Sequence, residues 1–371
     1  MSREAPEAGL GGDRERWPLL TVVVPVRNEG PFIGSTLEQI LAQSYPRERL
    51  EILVVDGGST DSTKQTVLRL ARSHSQIRLL ENSKRLSSAA RNLGFQSGKG
   101  DIFVVIDGHC YLQNEHLFRN IVECFDTSKA DCLGRPQPLN PPGLTMFQEA
   151  IAIARASPLG HSRTSYIYSN REGYWSPVSV GAMYKRTVFE RIGYVDESFD
   201  ACEDVEFNYR VEKAGLCSYF HPSLGICYYP RPTLLEFLKQ MYRYGKGRAK
   251  LACKHPDLVH YEAVILILLI LGIPLLLFLG LWSTLFLFLF CIVYGLYIGV
   301  ILATSTCLAL RNRISHLMYL PVIFMAIHFG VAAGFLANTV KRLFSAQRNV
   351  PRKIPSASPQ GDRLRAGGPE S

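Results

Sequence analysis

Two carboxylates stand where apolar runs stop. The run Glu51–Asp56 (EILVVD) closes on Asp56 and is followed by Gly57-Gly58-Ser59-Thr60-Asp61; the run Asp101–Asp107 (DIFVVID) closes on Asp107 and is followed by Gly108-His109. A carboxylate at a strand end can accept hydrogen bonds from a base or a ribose, and adjoining glycines let backbone approach a ligand closely. The same residues also read as a glycine turn capped by an aspartate. Asp107 and His109 are spaced i, i+2, which in extended chain turns both side chains the same way. That spacing suits a divalent cation bridging a diphosphate, or a plain structural strand end. Further along, Glu203-Asp204 opens a helical run to Ala214. A displacement by a hydroxyl needs one carboxylate to take its proton, while two acids at a helix start also favour the helix dipole. In Gln240-Met241-Tyr242-Arg243-Tyr244, the basic Arg243 can contact lipid headgroups.

Positioning these groups requires a sheet. Leu19–Pro25 (LLTVVVP) is β-branched throughout, as in a strand buried on both faces. A helix is predicted over Pro31–Gln43, a second strand over Glu51–Asp56, and a helix over Asp61–Ser73 capped by Ser59, Thr60 or Asp61. A strand at Ile77–Leu80, a helix over Leu86–Gln96 and a fourth strand over Asp101–Asp107 complete the rhythm. This β-α-β-α order predicts an α/β fold with a parallel, doubly wound sheet. Ligands in such sheets bind at the carboxyl ends of strands, where Asp56 and Asp107 fall. Past Gly143 an Ala/Ile-rich helix leads into the loop His161–Pro177, whose His161, Arg163, Arg171, Tyr174 and Trp175 carry no assigned role. Val178–Lys185 then reads as a strand and Glu203–Ala214 as a helix.

The whole-chain averages are 47% hydrophobic, 20% charged and a net charge of +9 over 371 residues. They exclude disorder, collagen and small disulfide scaffolds, and they conceal a split. From Glu262 to Thr339 almost every residue is apolar. A spanning helix needs about 20 apolar residues for about 30 Å of hydrocarbon, so 263–280, 283–310 and 316–338 are three candidate segments. Lys246, Arg248, Lys250 and Lys254 precede the first and Arg311 and Arg313 follow the second, so both sets favour the cytoplasm. Lys341, Arg342, Arg348, Arg352 and Lys353 also favour it, against a count of three crossings. Either the third segment is re-entrant or the charge rule is overridden. The start, Met1–Trp17, has no apolar core resembling a signal peptide, so the globular part is expected to face the cytoplasm with its nine cysteines reduced. Leu234, Leu238, Met241 and Tyr242, interleaved with Lys239, Arg243, Lys246 and Arg248, predict an amphipathic helix on anionic lipid.

Four motifs together carry a resemblance: Val24-Pro25-Val26-Arg27-Asn28-Glu29, Val55-Asp56-Gly57-Gly58-Ser59-Thr60-Asp61, Ala90-Arg91-Asn92-Leu93-Gly94 and Cys202-Glu203-Asp204-Val205-Glu206-Phe207. In order and spacing the chain resembles a family 2 inverting glycosyltransferase of GT-A fold, membrane-anchored and similar to succinoglycan-type glucosyltransferases. The resemblance implies a GT-A (Rossmann-like) doubly wound mixed sheet followed by an α-helical transmembrane region. It further implies that Glu29 and Asp56, beside the Pro25-Val26 strand end, hold the ribose and base of a nucleotide sugar, and that Arg91 faces the diphosphate. Asp107 would contact sugar, ribose or a divalent metal (Mn²⁺ or Mg²⁺), with His109 in the place of a second metal-binding aspartate. Asp204 matches the general base, with Glu203 among the substrate-binding residues. The stretch at 240–244 resembles Gln-x-x-Arg-Trp with Tyr244 for Trp; there Arg243 would stabilise the leaving diphosphate, and Gln240 and Tyr244 would shape the acceptor entrance.

The domain plan is therefore a disordered start (1–17), a cytoplasmic catalytic domain (18–232), an interfacial helix (233–260), a transmembrane region (261–339) and a disordered basic tail (340–371). The expected partners are a nucleotide sugar, a polyprenyl-diphosphate-linked saccharide acceptor and membrane lipid, along with other membrane polysaccharide-assembly enzymes. The expected location is the cytoplasmic membrane, spanned more than once. Two rivals are a polyprenyl-phosphate sugar transferase and a non-catalytic membrane scaffold that binds nucleotide or glycan. A nucleotide oxidoreductase is a weaker rival still, since the G-x-G-x-x-G fingerprint is missing. Nucleic-acid binding is not expected, because the excess charge lies beside the membrane segments.

Overall fold

The computed structural model describes residues 17–161, 166–179, 181–259 and 261–348. Residues 1–16 and 349–371, with Arg163, Arg352 and Lys353, lie outside the described residues, and so do most of the start and much of the tail expected to be disordered. The helical rhythm appears where it was predicted: β1 (Leu20–Val26), α1 (Gly30–Leu41), β2 (Leu50–Asp56), α2 (Thr63–Ser73), β3 (Ile77–Glu81), α3 (Ser87–Ser97) and β4 (Ile102–Val105). Beyond it come β5 (Cys110–Leu112), α4 (Leu117–Ser128), β6 (Cys132–Gly134), α5 (Met146–Arg155), β7 (Gly173–Tyr174), β8 (Gly181–Lys185), α6 (Arg186–Ile192), α7 (Glu203–Lys213), β9 (Ser218–Phe220) and β10 (Ile226–Tyr228).

The strands form one sheet in the order β3-β2-β1-β4-β8-β6-β9-β7, with β10 and β5 paired separately. β1 to β4 are parallel, but β8 runs antiparallel to both β4 and β6. The sheet is thus mixed, as the resemblance implied, and the parallel order read from the β-α rhythm runs as far as β4. There the alternation of strand and helix breaks down, so later strands are no longer joined by crossovers that would force one direction. Val22, Val24 and Ile52 face one core with Ile33, Leu37 and Phe118; Val23, Val55 and Phe103 face another with Phe95, Phe189 and Phe207. Burial on both faces is why these strands read as unbroken apolar runs. The strand expected from Val178 begins only at Gly181, because Pro177–Ser179 forms a 3₁₀ turn; Pro177 has no N–H for a ladder.

The C-terminal part contains α8 (Leu234–Lys254), α9 (Tyr261–Leu279), α10 (Thr284–Arg311) and α11 (Leu320–Arg348). Helix α11 runs through residues 340–348, which were expected to be disordered. By length and composition, Thr284–Arg311 and Leu320–Arg342 are apolar enough to cross a membrane. Their surroundings differ sharply. The apolar window of α10 is 6% buried, whereas that of α11 is 50% buried. Helix α11 lies along α8 so closely that a Cβ at Gly245 would stand 2.0 Å from Val331 O, and one at Gly334 would stand 2.0 Å from Tyr242 O. Gly330 sits against Leu238 and Met241, and Lys250 lies near Arg342, so the two helices run side by side in the same direction. At its start α11 packs Leu320, Ile323 and Phe324 on Ala150, Ile151 and Ala154 of α5. There His328 Nε2 donates to Leu159 O (2.9 Å), and His316 Nε2 lies 3.0 Å from Glu149 Oε2.

Candidate active site

The loops after β1 and β2 are stitched together at the carboxyl edge of the sheet. Asn28, in a left-handed conformation (φ 57°), donates its N–H to Ser59 Oγ and accepts from the Thr60 N–H. Glu29 N donates to Thr63 Oγ1, and Gly30 N donates to Asp61 Oδ2. Asp61 therefore binds two segments, accepting the Thr63 N–H at the start of α2 as well. Val26 pairs in register with Asp56, and Val26 O accepts from Gly57 N. Asp56 is buried and accepts from the Ser59 N–H and Oγ, so its carboxylate is held locally beneath the Gly57-Gly58 turn, beside half-buried Pro25.

Strand β4 ends at Val105, which leaves Asp107, Gly108 and His109 in a turn rather than in extended chain. The i, i+2 argument for one shared direction is corrected accordingly. Asp107 Oδ1 lies 4.0 Å from Arg91 Nη2, while His109 Nδ1 lies 3.0 Å from Glu29 Oε1. Gly108 makes the turn possible, since a Cβ there would come within 2.8 Å of Val26 Cγ1 and 3.0 Å of Glu29 Cγ. Among the described residues no group of three or more His, Cys, Asp or Glu side chains converges as a metal cage.

Arg91 is the hub. Its Nε lies 3.5 Å from Glu203 Oε1, and its guanidinium is reached by the charges of Glu203, Asp107 and Asp204. Burial opposes the Arg91 charge, but these carboxylates outweigh burial and hold the group firmly protonated. Glu203 is buried, and burial raises its pKa above the ordinary carboxylate range, with Arg91 pulling down and Asp204 pushing up. The neighbouring Asn92 explains how α3 is aimed. Its Nδ2 donates to Val195 O (2.8 Å) and its Oδ1 accepts from Val195 N (2.9 Å), while Ser88 Oγ donates to Phe199 O (2.8 Å). These bonds clamp α3 against the loop that delivers α7. Cys202, with φ 62°, turns the chain so that α7 starts with Glu203 inward and Asp204 half-buried.

On α8, Gln240 Nε2 donates to Tyr244 Oη (3.2 Å), and Tyr244 lies within electrostatic reach of Asp204. Arg243 does not join them. It is exposed, with Nη2 donating to Asp200 O (2.9 Å) and Nε 3.3 Å from Asp200 Oδ2. Successive helical residues are about 100° apart, so Tyr244 faces inward while Arg243 turns out and braces the loop ahead of Asp204. In this structure Arg243 is engaged by Asp200.

Sequence reasoning missed Arg135, the largest fully buried side chain among the described residues. Its Nη2 donates to Val105 O (3.0 Å) and Tyr228 Oη (2.9 Å), and its guanidinium lies 5.5 Å from the Tyr228 ring centroid. Tyr228 in turn packs edge-on to His109. Arg135 thus supports the 107–109 turn from below. Its only signal was a lone charge after the apolar Cys132-Leu133-Gly134.

Over residues 21–193 the chain matches the model described as Glycosyl transferase family 2, and over 111–337, more than half of its length, that described as Glycosyl transferase family group 2. It is 31% identical over 236 residues to the succinoglycan biosynthesis protein ExoA of Rhizobium meliloti (strain 1021), covering 63% of this chain and 70% of that one. It is 27% identical over 332 residues to a dolichyl N-acetyl-α-D-glucosaminyl phosphate 3-β-D-2,3-diacetamido-2,3-dideoxy-β-D-glucuronosyltransferase of Methanococcus voltae, covering 87% and 97%. Its fold is similar to that of a mannosyltransferase from Pyrobaculum calidifontis solved with GDP-Man and Mn²⁺ (TM-score 0.56, 19% identity, 88% of each chain).

Proposed function

The chain belongs to glycosyltransferase family 2, and from that membership we propose that it is a membrane-anchored inverting enzyme using a nucleoside-diphosphate sugar, a UDP-sugar first among them, and a lipid-linked saccharide acceptor. The observation that carries this reading is the single guanidinium of Arg91 facing Asp107, Glu203 and Asp204. It brings a residue of the donor edge and a half-buried carboxylate to one point. In this reading Glu29, Asp56 and the Pro25-Val26 strand end border the nucleotide, and Asp204 takes the proton of an acceptor hydroxyl. The hydroxyl oxygen bonds to the anomeric carbon as the bond from that carbon to the diphosphate breaks, and the departing electron pair stays on phosphate. The lipid-linked acceptor rests on the archaeal relative, whose name describes a dolichyl-linked substrate.

A divalent cation fits this edge. Asp107 offers a carboxylate, and His109 has one ring nitrogen engaged by Glu29, as carboxylates orient metal-binding histidines elsewhere. The remaining positions would fall to phosphate oxygens and water, as in sites with one or two protein ligands. Such a cation would neutralise charge on the leaving diphosphate. A purified sample incubated with a panel of nucleotide sugars and lipid-linked saccharides, read by mass spectrometry, is expected to add one sugar with inverted configuration to a saccharide hydroxyl. EDTA should abolish the product and Mn²⁺ should restore it better than Mg²⁺. No transfer from any donor would overturn the reading, full activity in EDTA would remove the cation, and an acid-labile single-sugar lipid would make the lipid phosphate the nucleophile.

The membrane seat follows from the same packing. We read α9 and α10 as the crossing hairpin and α11 as an in-plane helix, because α11 begins on α5 and ends beside α8. Both ends thus lie on the catalytic side, which reconciles the basic tail with two crossings and supports the re-entrant option. In sealed, inside-out vesicles a protease tag after Ser371 should be cleaved together with the catalytic domain. A tag protected until detergent is added would mean that α11 crosses.

A further inference from the structure

Three guanidinium groups lie outside the donor edge just described. Arg155 closes α5, Arg231 precedes α8, and Arg248 lies in the second half of α8. All three are half-buried, and none forms an ion pair with a carboxylate among the described residues. Arg155 instead sits 5.8 Å from the Tyr244 ring centroid, with Nη1 3.5 Å from Met241 Sδ. Tyr244 feels Arg155, Arg231 and Asp204 together, so the cluster and Asp204 share one neighbour. Helix α8 closes against the loop ahead of Asp204, where a Cβ at Gly247 would meet Ala201 O at 2.5 Å and Cys202 Sγ at 3.0 Å. His161 completes the cluster. Its Nε2 is buried without a hydrogen-bond partner among the described residues, and its ring lies 5.2 Å from Tyr168. Burial first, then Arg155 and Arg248, push the His161 pKa down to about 2, so the ring is neutral beside these two guanidinium groups.

Grouping half-buried cations without a counter-charge is unfavourable unless a ligand supplies one. Guanidinium forks match phosphate oxygens, and the flanking helix continues the match on its apolar side. Ala150, Ile151 and Ala154 of α5 pack against α11, leading from Arg155 toward the membrane hairpin. We propose that Arg155, Arg231 and Arg248 form an anion subsite, next to Tyr244 and Asp204, that seats the phosphate or diphosphate of a lipid-linked acceptor. This rests on the lipid-acceptor reading above and adds the residues that recognise it. The subsite explains how a saccharide hydroxyl is presented to Asp204: the anionic head is fixed next to Tyr244 while the sugar reaches Asp204.

The test is equilibrium binding to the full-length protein in nanodiscs, in EDTA so that no cation bridges phosphate. The probes are farnesyl diphosphate, farnesol, inorganic diphosphate and UDP. Farnesyl diphosphate is expected to bind at least tenfold tighter than farnesol, and R155Q and R248Q should each weaken it about tenfold, a loss of one charge-assisted contact. UDP affinity should stay within about twofold, which also reports that the variants fold. Inorganic diphosphate binding as tightly as the prenyl form would assign the subsite to free phosphate and overturn the lipid assignment. An equal loss of UDP would assign the arginines to the donor, and unchanged farnesyl diphosphate affinity in R155Q and R248Q would remove the subsite. Should R155Q fail to retain UDP, R248Q decides alone. Transfer to a saccharide lacking any phosphate, at undiminished KM, would sink this inference and leave the glycosyltransferase reading standing; intact prenyl-diphosphate binding with no transfer from any donor would do the reverse.

Discussion

Asp204→Asn is expected to fold, to bind UDP as the wild type does, and to lose transfer by about 10²–10⁴-fold in kcat, the usual contribution of a positioned base. The substitution keeps size and shape. The oxygen that accepts the Val205 N–H at 2.9 Å remains available in the amide, so the first turn of α7 keeps its contact. What disappears is the capacity to accept a proton at that position. Single-turnover transfer together with UDP titration separates the two, and turnover within a few-fold of wild type would show that the proton goes elsewhere. Glu203→Gln is the natural control. Glu203 is buried against Arg91, so its loss should act on stability and on the setting of Arg91.

Arg91→Met carries the second large effect, and it falls first on the fold. Removing one partner of a buried pair typically costs about 3–5 kcal/mol, because the other charge is left uncompensated. The Arg91 side chain is 15% exposed and that of Glu203 7%, so little solvent screening applies. The sign with pH follows from Glu203, whose folded pKa already stands above the ordinary range through burial. Without the guanidinium it rises further. A group with a raised folded pKa contributes its stability below its unfolded value, about 4.3, and loses it as pH rises through the folded value. The deficit of Arg91→Met against wild type should therefore be largest at neutral and alkaline pH and shrink toward pH 5. Adding Glu203→Gln should recover most of it. Thermal melts of the three variants at pH 5 and pH 8 check this, and a deficit independent of pH would mean that Glu203 is not the group left uncompensated.

Much of the scaffold was legible because it is governed by local rules. The runs at Leu19–Pro25 and Glu51–Asp56 are apolar on both faces and bounded by glycine and polar turns, so strand, edge and Asp56 could be read directly. Strand direction beyond β4 was not legible. It depends on how a chain without alternating helices returns to the sheet, and nothing in Gly181–Lys185 encodes that direction locally. The mutual direction of Asp107 and His109 was not legible, because the strand ends at Val105 and a turn follows at Gly108. At Leu234–Lys254 the spacing revealed a helix but not that Arg243 would meet Asp200. Arg135 and Arg155 escaped for a common reason. A single charge beside an apolar run looks like the run's solvated end, and only tertiary packing shows it drawn inward.

The Asn92–Val195 clasp has a consequence for dissecting this chain. Its two ends are 103 residues apart, and its bonds run both ways between one side chain and one peptide unit. Closing so long a loop is entropically unfavourable until the intervening strands have assembled, so the clasp belongs to the late stages of folding. Residues 21–193 end just short of it, before Val195 and before Asp204. A fragment cut at that boundary would keep the parallel strands and the Asp56 turn, yet leave α3 with nothing to orient Arg91. The two halves of the site are thus one cooperative unit in folding, although they lie in separate stretches of sequence.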